Sequence, residues 1–111
     1  MHFDKQTKYR LGLLDYDSLA NINVVRFDSN SGIQHRKMIL RLVEKAIDNH
    51  ERFITLATLR RPATSEQVIA DFYNIDWNLI VEVAYSEDEK SLERKRKIWE
   101  QLGFHFDIVR V

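Results

Sequence analysis

Hydrophobic and polar positions along the 111-residue chain change period several times, and each change marks a candidate element. Between 32 and 50, Ile39, Leu42, Val43, Ala46 and Ile47 recur at three- and four-residue steps, the period of an amphipathic helix. Arg36, Lys37, Arg41 and Lys45 leave that seam as a basic outer face, and Ser31 stands where an N-cap accepts from the first free amides. Ahead of it, Ile22, Val24, Val25 and Phe27 predict a β segment over 22–28, closed by the turn cluster Asp28-Ser29-Asn30-Ser31-Gly32. The first 20 residues carry only a weak alternation at Leu11, Leu13 and Leu14, then a turn over Asp15-Tyr16-Asp17-Ser18.

Residues 53–60 predict a strand (Phe53, Ile54, Leu56, Leu59) closed by Arg60-Arg61-Pro62. Residues 64–75 admit two readings. Thr64 with Gln67 can form a capping box, and Val68, Ile69 and Phe72 fit a helical stripe. The β-branched and aromatic content, with Asn74-Ile75-Asp76-Trp77-Asn78 as a tight connection, weighs instead for a strand over 67–75. Leu79-Ile80-Val81-Glu82-Val83-Ala84-Tyr85 is apolar on both faces, as a central strand is. Ser86 and Glu89 offer a capping box for a helix over 87–102, with Leu92, Ile98, Trp99 and Leu102 as its buried stripe and Gly103 beyond its end. A strand over 104–111 closes the chain.

Composition narrows what such a chain can do. It is 44% hydrophobic and 31% charged, the balance of an ordinary folded domain. No apolar run reaches the roughly 18 residues of a membrane span, and the first residues lack the apolar core of a secretory signal. A cytoplasmic, intracellular protein is expected. With no cysteine, disulfides, thiolate zinc sites and a Cys nucleophile are excluded. His2, His35, His50 and His105 have no metal-ligand spacing, and no glycine pattern suits a phosphate loop. Seventeen acidic and seventeen basic residues cancel, so any nucleic-acid contact must rest on a local patch.

The chemistry-bearing feature is Asp71 followed eleven residues on by Glu82, two acids in an apolar hairpin. A carboxylate flanked by Val81 and Val83 is costly to bury unless paired or metal-bound; Arg60 or Arg110 across the sheet is the ordinary partner to expect. Side chains alternate along strands, so the loop length decides the geometry. A two- or four-residue connection centred on Asp76 and Trp77 puts the two acids directly opposite, with β-carbons roughly 5 Å apart. A three-residue connection sends them to opposite faces.

That order, a helix, three strands with acids on the second and third, a helix and a last strand, resembles the PD-(D/E)XK (restriction-endonuclease-like) nuclease superfamily over residues 32–111. The resemblance implies a small single α/β domain, a central mixed β-sheet flanked by helices with an αβββαβ core, here extended by an N-terminal β segment within residues 1–31. It also implies that Asp71 and Glu82, with a backbone carbonyl, hold Mg²⁺ or Mn²⁺, that a lysine positions or activates water, and that nucleic-acid phosphodiesters are cleaved. Two positions depart from the pattern. Ala70 stands where a proline usually precedes the first acid, and Ala84 stands where the lysine is expected. Some members carry that lysine on the following helix, which makes Lys95 the first candidate and Lys90 the second.

Other residues carry two readings each. Arg94-Lys95-Arg96-Lys97 and Arg60-Arg61 read as phosphate contacts, with Arg60, Arg61, Arg94 and Lys97 as candidates, or as solvated faces paired to Glu89, Glu93 and Glu100. His35 is in step with the helix seam and reads as a packed histidine bonded to a backbone carbonyl, or as a site residue. Glu44 is a third carboxylate only if its helix is rotated toward the site. Trp77 and Trp99 read as turn cover and core. A homodimer would supply specificity that so short a chain lacks, and a non-catalytic binding or assembly module of the same fold (a phage, viral or mobile-element protein), or an unrelated three-layer α/β domain, are the alternatives.

Overall fold

Aspartates at two points near the N-terminus start helices there. In the computed structural model, which describes residues 2–61 and 67–111, Asp4 accepts from the amide of Thr7 (2.8 Å) and opens α1 (Lys5–Leu11). Asp15 accepts from Ser18 (2.8 Å) and opens α2 (Tyr16–Ala20). Such caps satisfy amides that have no partner in the first turn. The N-terminal β segment expected within residues 1–31 is therefore corrected: its first part is helical, and Leu14 alone makes an isolated bridge, to Leu59. Residues 22–28 run along the sheet without joining its ladder. Asn23 sits at φ 64°, and Arg26 donates its amide to the Thr55 hydroxyl (2.8 Å) rather than to a backbone carbonyl.

The rest follows the order α3 (Ile33–Asp48), β1 (Phe53–Thr58), β2 (Ile69–Asn74), β3 (Leu79–Ala84), α4 (Glu89–Gln101), β4 (His105–Arg110). The strands lie in chain order, β1-β2-β3-β4. The first three pair antiparallel, and β3 pairs parallel with β4. A parallel neighbour needs a long crossover, which α4 supplies. The result is a small α/β domain with a four-stranded mixed sheet. Residues 69–74 are strand, which settles the doubtful segment; Thr64, the other half of its helical reading, lies outside the described residues.

Two caps differ from expectation. Gly32, not Ser31, precedes α3 and makes no side-chain cap bond. Asp88 caps α4 by accepting from Ser91 (2.7 Å), displacing the expected Ser86–Glu89 box because the chain bends at 85–86 and the helix begins only at Glu89.

Each face of the sheet buries its own cluster. On one, Ile39, Val43 and Ala46 of α3 pack on Phe53, Phe72, Val81 and Val83. On the other, Trp99 of α4 and Leu11 and Leu14 pack on Ile54, Tyr73 and Ile80. Trp99 is fully buried with its ring edge-on to Phe104 at 5.1 Å, whereas Trp77 is 66% exposed in the hairpin connection rather than covering it. Among the described residues, no helix is long and apolar enough to cross a membrane. Truncating Trp99 to alanine should cost about 3–5 kcal/mol in urea unfolding, against less than about 0.5 kcal/mol for Trp77→Ala; equal losses would contradict this placement of the core.

Candidate active site in the fork between two strands

The β2–β3 connection is Ile75–Asn78, four residues, with Asn74 Oδ1 accepting from Trp77 (3.0 Å) and Asn78 at φ 51° closing the turn. Asn74 pairs with Leu79, Tyr73 with Ile80 and Phe72 with Val81. One more step of that register sets Asp71 opposite Glu82, the condition under which two carboxylates converge. Backbone pairing ends there. Instead, Asp71 Oδ2 accepts from the amide of Val83 (2.8 Å), and Glu82 Oε1 accepts from the amide of Asp71 (3.2 Å). Each acid thus replaces a ladder bond, and the strands fork around the pair.

Helices on both sides reach into the fork. From α3, His35 Nε2 lies 3.3 Å from Asp71 Oδ1. The imidazole meets a carboxylate rather than the backbone carbonyl expected of a packed histidine, and its Nδ1 is buried without a hydrogen-bond partner among the described residues. From α4, Lys95 Nζ lies 3.2 Å from Glu82 Oε2 and 2.9 Å from Glu87 Oε2. Lys95, not Lys90, is the lysine at the acids; Lys90 is exposed. Glu82 is only 1% exposed, and its cation is Lys95 rather than Arg60 or Arg110; Arg110 pairs with Glu89.

Burial dominates the electrostatics. It raises the pKa of Asp71, against the pull of the Val83 amide and His35. It also raises Glu82, with added repulsion from Asp71, from an ordinary 4.5 to about 7 despite Lys95. Burial works against the Lys95 ammonium, but Glu82 and Glu87 outweigh it and hold its pKa above the usual value. Three carboxyl groups, Asp71, Glu82 and Glu87, thus meet one ammonium and one imidazole.

The fork opens into a cavity of about 620 Å³ that also touches Tyr85, Glu87 and the 28–35 segment. Leu56 of β1 lies on its wall, between the paired residues Thr55 and Ala57 and thus across from Asp71. Its φ of 53° is the left-handed region, a rare conformation for leucine that clusters at functional sites. Arg60, Arg61, Arg94 and Lys97 are exposed and do not line the cavity, and Glu44 is exposed on α3 away from it. Glu87 is the site residue that periodicity missed: the helix expected over 87–102 begins only at Glu89, so Glu87 lies in the connection before α4, off the helical repeat.

Among the described residues, no group of three or more His, Cys, Asp or Glu side chains forms a metal cage. Mg²⁺ does not require one: it takes one or two carboxylates and keeps several waters. Each carboxylate here accepts one amide and faces one basic group, which leaves further acceptor capacity on two residues that line the cavity. In donor type, two carboxylates with hard oxygen atoms fit a Mg²⁺-like ion that keeps most of its waters. Compared with known proteins, the chain matches no family model, and no curated protein or solved structure matches it.

A carboxyl whose pKa rises on folding keeps its proton in the folded chain while the unfolded chain has lost it. Stability attached to Glu82 is therefore present below about 4.5 and lost as pH climbs through about 7; Asp71, also raised, acts in the same direction. In chelator-containing buffer, urea unfolding of the wild type should weaken across that window relative to Glu82→Gln, by on the order of a few kcal/mol. Parallel pH profiles for the two proteins would contradict it.

Proposed function

We propose that the chain is a metal-dependent nuclease-like phosphodiesterase, with Asp71 and Glu82 as metal ligands and Lys95 as the catalytic cation. The observation that carries the reading is the pairing of β2 and β3 in the one register that sets Asp71 against Glu82, with a lysine ammonium 3.2 Å from the second acid. When bound, Mg²⁺ or Mn²⁺ would polarise a phosphate and lower the pKa of water.

The chain's own groups have separable tasks. Asp71 and Glu82 orient one another through the strand amides, so their free lone pairs are fixed before any ligand arrives. Lys95 is held by Glu87 as well as by Glu82, and it lines the cavity. From there it can stabilise negative charge that develops on a phosphoryl oxygen, with no rearrangement at the moment of reaction. His35 steadies Asp71 from the α3 side. Arg60, Arg61, Arg94 and Lys97, outside the cavity, would meet flanking phosphates of the nucleic acid.

One observation favours a second reading, a non-catalytic binding module of the same fold. Ala84, fully buried, shares the face of β3 that Glu82 occupies and stands where the resembled nucleases carry lysine. On that reading Lys95 merely neutralises buried acids.

Incubation of labelled DNA and RNA with Mg²⁺ or Mn²⁺ separates the two. Cleavage should appear with metal and vanish with chelator. Asp71→Ala, Glu82→Ala and Lys95→Ala should each lower the rate by about 100-fold or more. Equal rates in wild type and all three variants would remove these residues from the chemistry, and no cleavage of any substrate would leave the binding module.

A further inference from the structure

The residues lining the cavity next to the carboxylate fork are of two chemical kinds. Asp71, Glu82, Glu87, Lys95 and His35 bring ionisable groups. Tyr85, Ile33, Leu56 and Ile69 bring apolar surface, and Asn30 and Gln34 neutral amide side chains. Tyr85 is 74% exposed and Ile33 58% exposed, although both border the recess. Large apolar side chains left open at the mouth of a polar site have no role in the core of this fold.

We infer that the nucleic acid taken by this site is single-stranded, with the base beside the reacting phosphate unstacked and laid on Tyr85. This rests on the phosphodiesterase reading above and names the substrate class for it. Three observations carry the step. First, about 620 Å³ lies in the range of pockets that enclose a small organic group, and so admits one nucleotide. Second, Lys95 is the one lysine or arginine among the described residues lining it, and two carboxylates already engage it. The cations outside the cavity would serve the flanking phosphates of either form, whereas inside it the exposed Tyr85 ring offers the stacking that only an unpaired base can take up. Third, the acids are recessed, Glu82 being 1% exposed, so a phosphate reaches them only if its nucleotide leaves the stack.

Amide side chains complete the match. Asn30 and Gln34 each offer a donor and an acceptor, the pair of groups that meets a base edge. Asp28, also on the lining, accepts the amide of Asn30 (2.9 Å) and keeps its negative charge. A bare phosphate finds one ammonium, already engaged by Glu82 and Glu87. A base finds a ring, an aliphatic wall and hydrogen-bonding groups.

The test uses the full chain and fluorescein-labelled ten-nucleotide single strands, with matched hairpin duplexes, read by anisotropy in chelator and by cleavage in Mn²⁺. The single strand should bind more tightly than the duplex in both conditions. Tyr85→Ala should weaken single-strand binding and raise KM by roughly 5- to 150-fold with a smaller change in kcat, and Tyr85→Phe should restore both. Equal binding of duplex and single strand, no single-strand binding, or an unchanged Tyr85→Ala variant would each overturn the inference. Those results leave the phosphodiesterase reading intact if cleavage still depends on Asp71. Absence of cleavage with stacking-dependent binding intact would instead overturn the chemistry and keep the single-strand preference.

Discussion

Burial of the Glu82 carboxylate inside the sheet, opposite a second carboxylate, is the constraint around which the local structure is arranged. A lone anion at 1% exposure is strongly disfavoured. The fold answers with an amide from β2, an ammonium from α4 and, behind the ammonium, a further carboxylate. Asp71 is answered in the same way by an amide from β3 and an imidazole from α3. The two strands stop pairing where these side chains take over their amides. Elements from both faces of the sheet therefore meet at one point, and the cavity opens there.

Such an arrangement is poorly explained by stability alone. Apolar residues at 71 and 82 would let the β2–β3 ladder continue, and replacing buried ion pairs by packed apolar groups is often neutral or stabilising. Leu56, in the left-handed region directly across from Asp71, adds a second local departure from ideal strand geometry. Unfavourable features gathered at one end of an otherwise well-packed sheet are the usual footprint of a ligand site.

Much of this was legible in the chain, for reasons that differ by element. Helix α3 and the apolar strand β3 carry strong periodicity, so burial dictates them. The hairpin acids were legible as a conditional: a four-residue connection sets them face to face, and Asn74 to Leu79 supplies that connection. The N-terminal segment departs from the expected β extension because Asp4 and Asp15 act as helix caps, a role that a short polar residue shares with turns. Residues 22–28 look like a strand in composition, yet Arg26 bonds a threonine hydroxyl and the ladder never forms. Glu87 and the His35–Asp71 contact depend on tertiary approach, which no local pattern encodes.

The central claim is that Asp71 and Glu82 together bind one divalent ion, and Mn²⁺ titration followed by paramagnetic broadening of amide resonances tests it most directly. Broadening should begin at the amides of Asp71 and Val83, spread to Lys95, and be lost in Asp71→Asn. Broadening that starts elsewhere, or amides that stay sharp at these positions at millimolar Mn²⁺, would contradict the account.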